Sequence, residues 1–242
     1  MYQELIDKDI LARDAERQSE RGSDAGEWHP SSLTGCPRKA VYDFKGYEPS
    51  DPKDIRNIRI MDRGTEIHQE VQGMMIRETL LAGLQPSDYR IEVKVDTHGI
   101  KGSVDAILQG EVQEYKSISP QGKKFMKPKP FGKDGPGNEP QPKPEHVKQA
   151  RIYQRCLKEM GEEVTDFVRI VYFDRDDWSV LEFVEPAWDD IEWYEFLSEI
   201  GELEDHVEDG TLPGRMPLDS KGNKFWLCRY CDYRTRCWEI DE

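Results

Sequence analysis

No stretch of this sequence approaches the roughly 20 apolar residues that a membrane span requires. The N-terminal MYQELIDKDILARDAERQ lacks the apolar core and the small-residue cleavage site of a secretory signal. A cytoplasmic protein without membrane partners is therefore expected. Cations are scarce: 34 Lys and Arg stand against 49 Asp and Glu, a formal net charge of −15. Averaged over the chain, that deficit argues against a polyanionic partner, because phosphate binding rests on Lys and Arg. Cysteines are few and odd in number, five in 242 residues. An odd count in a cytoplasmic chain argues against a disulfide framework. No internal repeat is visible.

The length suffices for one core of good size, or a core with a small appended module. The acidic average hides a local reversal. Residues 116 to 155 hold eight Lys and two Arg against Asp134, Glu139 and Glu145, a net of +7, so the remainder carries −15 − 7 = −22. Binding follows the local field, so an acidic protein can hold a polyanion along such a stretch.

The spacing of Leu5, Ile6, Ile10 and Leu11 predicts a polar helix over 2–21. A short helix is expected through Ala40 to Phe44, stopped near Gly46, and a long one over about 54–81, closed by Gly83 and Pro86. The period then changes to two. Strands are expected at 89–96, 102–108 and 112–118, joined by turns at His98-Gly99 and Gln109-Gly110 into an antiparallel meander. Residues 117–144 carry seven Pro, four Gly and six Lys, which reads as an exposed loop. A helix follows over 145–160, then strands at 164–173 and 178–184, a helix over about 186–206, and a compact cysteine-rich end. The expected organisation is an N-terminal helical extension (1–27), an α/β core (28–223) and a C-terminal cysteine segment (224–242).

Gly102-Ser-Val-Asp105 followed by Glu114-Tyr115-Lys116 places two carboxylates on neighbouring strands. Glu114 and Lys116 are two apart and share a strand face. Hard oxygens of this kind suit Mg²⁺ or Mn²⁺. Such a metal acidifies a bound water and neutralises charge building on a phosphate. Lys116 can orient or deprotonate that water, or stabilise the transition state. The same residues also fit an ordinary strand with a cross-strand ion pair. Gly64-Thr-Glu-Ile-His68 adds a histidine on the preceding helix, and Gln149-Ala-Arg-Ile-Tyr153 puts Gln and Tyr on one helical face. Cys228, Cys231 and Cys237 form C-x2-C-x5-C, with Cys36 nearly two hundred residues earlier. Three thiolates in ten residues call for a fourth partner or a cofactor. A structural zinc site and buried unliganded thiols both stay open. Cys156 stands apart, as a small core residue.

The ordered set GxxxH, GxxD, ExK and QxxxY resembles the RecB-like PD-(D/E)xK nucleases. The split of one early and three late cysteines resembles their iron–sulfur branch, which includes the CRISPR-associated Cas-four exonucleases and phage homologues. The resemblance spans about residues 28–238. It implies a restriction-endonuclease-like core, a small mixed sheet flanked by helices, with a four-cysteine module joining the N- and C-terminal parts. It implies that His68, Asp105, Glu114 and the backbone carbonyl of Tyr115 bind the metal, that Lys116 is catalytic, and that Gln149 and Tyr153 contact DNA. It implies a [4Fe–4S] cluster on Cys36, Cys228, Cys231 and Cys237. The implied activity is Mg²⁺- or Mn²⁺-dependent DNA exonuclease action on single strands or ends, in recombination, repair, phage replication or CRISPR adaptation. A homo-oligomer, or a protein partner in recombination or adaptation, accords with it. The rival is a non-catalytic DNA-binding or assembly factor on the same fold. The lysine-rich loop is a departure from the family pattern. It is expected to be mobile without DNA and to close over a bound strand. Its Lys123, Lys124, Lys127 and Lys129 are expected to reach the DNA backbone, with Phe125 and Phe131 stacking on unpaired bases.

Overall fold

The computed structural model describes residues 2–21, 25–126, 140–218 and 220–241. In chain order the elements are α1 (Tyr2–Arg21), α2 (Pro37–Phe44), α3 (Ile55–Leu81), β1 (Tyr89–Thr97), β2 (Ile100–Leu108), β3 (Glu111–Ile118), α4 (Pro120–Phe125), α5 (Pro144–Glu159), β4 (Phe167–Asp174), β5 (Val180–Pro186) and α6 (Asp190–Glu208). A 3-10 turn (Trp226–Tyr230) and a π-helical turn (Arg236–Ile240) finish the chain. Among the described residues no helix is long and apolar enough to cross a membrane. The chain forms two compact units, Gly64–Asp190 and the pairing of Met1–Arg63 with Ile191–Glu242.

The Gly64–Asp190 unit contains a five-stranded sheet in the order β1-β2-β3-β4-β5. All neighbours are antiparallel except β3 and β4, which run parallel, so the sheet is mixed. Two-residue turns close both hairpins of the meander. His98 and Gly99 have φ of +51° and +69°, and Gln109 and Gly110 have +50° and +80°. Paired positive φ values match the right-handed twist of the flanking strands. β4 is buried from Ile170 to Asp174, as expected for an inner strand covered on both faces. On one face, Ile67 and Val71 of α3 pack with Tyr89, Ala106, Tyr115, Val171 and Phe173. α5 packs against β3 and β4, burying Val147, Ala150, Tyr153, Cys156 and Leu157.

One expectation needs correction. The segment read as an exposed loop from residue 117 begins with the last two residues of β3, Ser117 and Ile118, and then α4. Ser119 caps this helix by accepting from the Gly122 amide at 3.0 Å, and Pro120 occupies its first turn, two local start signals that the Pro and Gly content masked. Residues 127–139 of that segment lie outside the described residues.

In the other unit, early and late chain segments are joined by polar bonds. Arg38 is buried on α2 and donates to the carbonyls of Pro213 (3.3 Å) and Asp241 (2.6 Å). Asp51 accepts from the Thr235 amide (2.6 Å) and hydroxyl (3.0 Å) and from Arg234 (2.8 Å). These bonds hold its carboxyl below the usual range despite the opposing effect of burial.

The β2–β3 turn carries the strands that hold the candidate carboxylates, and it depends on Gly110. A Cβ there would meet the Glu163 carbonyl oxygen at 3.4 Å, on a backbone with φ of +80°. Gly110→Ala is expected to lower unfolding free energy by about 1–2 kcal/mol, measured by urea denaturation. An unchanged midpoint would show that the turn adapts.

Candidate metal and catalytic centre

The β2–β3 ladder runs from Leu108↔Glu111 to Ala106↔Gln113 and stops. The next residues in register are Asp105 and Glu114. Where the ladder ends, the Tyr115 amide turns to a side chain and donates to Asp105 Oδ2 at 2.7 Å. This bond fixes the Asp105 carboxylate beside β3. Strand alternation then sends Tyr115 into the α3 face and Glu114 and Lys116 to the opposite one.

Glu114 is only 1% exposed. Lys116 Nζ lies 2.5 Å from its Oε1 as an ion pair, yet both buried carboxylate oxygens lack a well-formed hydrogen bond. Burial pushes the Glu114 carboxyl up to about 7; the Lys116 ammonium opposes this and Asp105 adds to it. Burial works against the Lys116 charge, yet Glu114 and Asp105 raise its pKa above the ordinary value. Lys116 is therefore a fixed cation. It also donates to Gln149 Oε1 at 3.2 Å. His68 Nδ1 stands 3.5 Å from Asp105 Oδ1. The glycine of GxxxH has a physical cause here: a Cβ on Gly64 would lie 3.3 Å from Ser117 Oγ, so its absence lets α3 approach the end of β3.

Tyr153 is buried on α5, and its phenol is pushed well above its usual range by burial, with Glu114 and Asp105 adding. Bonds to Gln149 and the Ser103 backbone act the other way. The unit thus brings together His68, Asp105, Glu114, Lys116, Gln149 and Tyr153. Lys123 is not free: it donates to Ser179 Oγ at 2.6 Å and lies 3.7 Å from Asp174. The side chains of Lys124 and Phe125, and all of Lys127, Lys129 and Phe131, lie outside the described residues.

Sequence reasoning passed over Gln72, Glu92, Ser103, His146 and Tyr172. Gln72 follows His68 by one helical turn and His146 precedes Gln149 by one, and that spacing was the available signal.

Cys36, Cys228, Cys231 and Cys237 all belong to the other unit and are free thiols. Cys36 occupies the position just before α2, ahead of Pro37. Burial pushes the Cys231 and Cys237 thiols up, and nearby Cys36 adds to both, as Cys228 does to Cys237. Cys156 belongs to the Gly64–Asp190 unit, fully buried on α5, with its thiol pushed up to about 12 by burial. Among the described residues, no three His, Cys, Asp or Glu side chains stand close enough to hold a metal ion as they are placed. The donor types and the orphaned Glu114 oxygens nonetheless suit a hard divalent cation, and cysteine thiols are the donor type that an iron–sulfur cluster or zinc takes.

No protein-family model matches the chain. No curated protein matches it. Its fold is similar to the crystal structure of SSO0001, with a TM-score of 0.53 and 18% identity over 98% of this chain and 96% of that one. The likeness concerns the fold alone.

His146 supplies a pH test of this geometry. The Lys143 amide donates to Tyr172 Oη at 3.0 Å, and Tyr172 Oη is hydrogen-bonded to His146 Nδ1 at 2.9 Å. Burial, with Lys116 and Lys143, drives His146 down to about 3. The folded value lies below the unfolded one, so the unfolded chain takes up the proton first as pH falls. Stability from this group is present above about pH 6.5 and is lost as pH falls toward about 3. Glu114, raised from 4.5 to about 7, acts in the opposite sense over its own window. The comparison of variant with wild type therefore isolates His146. His146→Gln should flatten the fall in stability between pH 7 and 4, read from denaturation midpoints; parallel curves would contradict the assignment.

Proposed function

We propose that this protein is a Mg²⁺- or Mn²⁺-dependent deoxyribonuclease of the PD-(D/E)xK class, acting as an exonuclease on single strands or DNA ends. The observation that carries this reading is the convergence, within one compact unit, of Asp105, Glu114, Lys116 and His68, with a buried Glu114 oxygen that has no donor. Leaving such an oxygen unpaired is costly, and a cation removes the cost.

Asp105, Glu114, His68 and the Tyr115 carbonyl would hold the metal. A bound divalent ion lowers the pKa of a water and offsets charge on the phosphate. The Tyr115 amide holds Asp105 in orientation, freeing its Oδ1 side toward His68. Lys116 keeps its proton on Nζ and serves as an electrostatic donor to the attacking water or a phosphate oxygen, rather than as the base. Gln149 steadies that ammonium. Tyr153 stays neutral and offers a hydroxyl beside the carboxylates. Residues 116 to 155, with their net positive charge in sequence, would supply the local field for DNA in an acidic chain.

We assign the four cysteines of the other unit to a [4Fe–4S] cluster, which would fasten early and late segments already joined through Arg38 and Asp51. The same reading places the protein in DNA end processing, in the cytoplasm.

Asp105→Ala and Glu114→Ala are expected to abolish cleavage of end-labelled DNA while gel-shift binding persists. Lys116→Ala should lose roughly 100-fold or more in turnover and keep its Mn²⁺ affinity. Full turnover in either carboxylate variant would overturn the assignment. Purified protein should be brown and contain four irons. Cys36→Ser should lose iron and stability, whereas Cys156→Ser should keep both. A colourless protein containing zinc would replace the cluster with a structural zinc site.

A further inference from the structure

Two residues outside this mechanism meet at Asp105. Glu92 lies in the middle of β1 with φ of +49°, a left-handed conformation that costs a non-glycine residue on the order of 1 kcal/mol. Such strain persists where the surroundings enforce it. The β1–β2 ladder pairs Ile91 with Ala106 and Val93 with Val104, which leaves Glu92 in register with Asp105 but outside the ladder.

The Glu92 carboxylate is held at both oxygens. Oε1 accepts from Gln72 Nε2 at 2.9 Å and Oε2 from Ser103 Oγ at 2.6 Å. Gln72 is 4% exposed, and its Nε2 also donates to the Asp105 backbone carbonyl at 3.0 Å. A primary amide has two N–H bonds, one for each acceptor. Glutamate could not donate to either. Gln72 stands one turn after His68 on α3, on the same face. α3 therefore reaches Asp105 twice, through His68 at the carboxylate and through Gln72 at the backbone.

We infer that Gln72, Glu92 and Ser103 form a clamp that sets Asp105 and His68 relative to each other, making Gln72 and Glu92 positioning residues of the metal centre. The inference rests on the functional reading above for the metal, and on hydrogen-bond geometry alone for the clamp. Glu92 acts on the ligands in this scheme rather than as one, each of its oxygens being engaged by a protein donor. Residues that hold metal ligands in place commonly change metal affinity about 10–100-fold when removed.

Two readouts separate the clamp from the metal. In metal-free protein, the Tyr115 amide reports the position of Asp105, because it donates to Oδ2. Its proton and nitrogen shifts should move in Gln72→Leu and Glu92→Ala and stay near wild type in Glu92→Gln, where an amide can accept from Gln72 and donate to Ser103. Calorimetric titration with Mn²⁺ should then show at least tenfold weaker binding in Gln72→Leu and Glu92→Ala, with Glu92→Gln close to wild type. An unmoved Tyr115 amide in Gln72→Leu and Glu92→Ala would overturn the clamp. Glu92→Gln binding Mn²⁺ as weakly as Glu92→Ala would overturn the positioning role in favour of a ligand. If Gln72→Leu does not fold, the Glu92 pair decides alone. If wild-type protein binds no Mn²⁺, the proposed function fails and the amide shifts still decide the clamp.

Discussion

The buried Glu114 carboxylate is the constraint on which the rest of this unit turns. It has one close cation, Lys116, in ion-pair contact with Oε1, and neither oxygen has a well-formed hydrogen bond. An ionised carboxylate removed from water needs compensation at both oxygens. Here the compensation is half supplied. Burial raises the proton affinity of Glu114 against the opposing pull of Lys116, while Glu114 and Asp105 raise that of Lys116, which leaves Lys116 charged and Glu114 short of positive charge. A site in this state gains by taking up a cation, and Asp105 and His68 stand beside it with the donors a hard metal accepts.

The surrounding fold holds this arrangement by local means. Two turns with paired positive φ bring β1, β2 and β3 into register. The end of the β2–β3 ladder releases the Tyr115 amide to the Asp105 carboxylate. The missing side chain at Gly64 lets α3 close on β3, and α3 delivers His68 and Gln72 to the same residue. On the other face, α5 buries its apolar side against β3 and β4 and so carries Gln149 to Lys116. Each step is a short-range steric or hydrogen-bonding demand, and together they bring residues from four elements to one place.

Much of this was legible in the sequence because periodicity encodes faces. The alternation in 89–96 and 112–118, and the turn residues between strands, predicted the meander, and the two-residue spacing of Glu114 and Lys116 predicted their shared face. The clamp was not legible. Glu92 occupies a position that alternation assigns to solvent, and nothing in the residue type announces a left-handed backbone. Gln72 is one of several polar residues on a long helix, and only burial distinguishes it. Lys123 was read as free to reach DNA, but its amine is taken by Ser179, a contact across 56 positions that composition does not report. The joining of segments near residues 38–51 with those near 213–241 depends on individual side-chain bonds to carbonyls and amides, which leave no periodic trace.

The most direct test of the account is anomalous diffraction from crystals of the protein soaked in Mn²⁺. The account predicts a peak bonded to Glu114 Oε2 and Asp105, with His68 in the same coordination sphere. A crystal that takes up Mn²⁺ elsewhere, or shows no peak beside Glu114, would contradict the claim that this carboxylate is built to hold a metal.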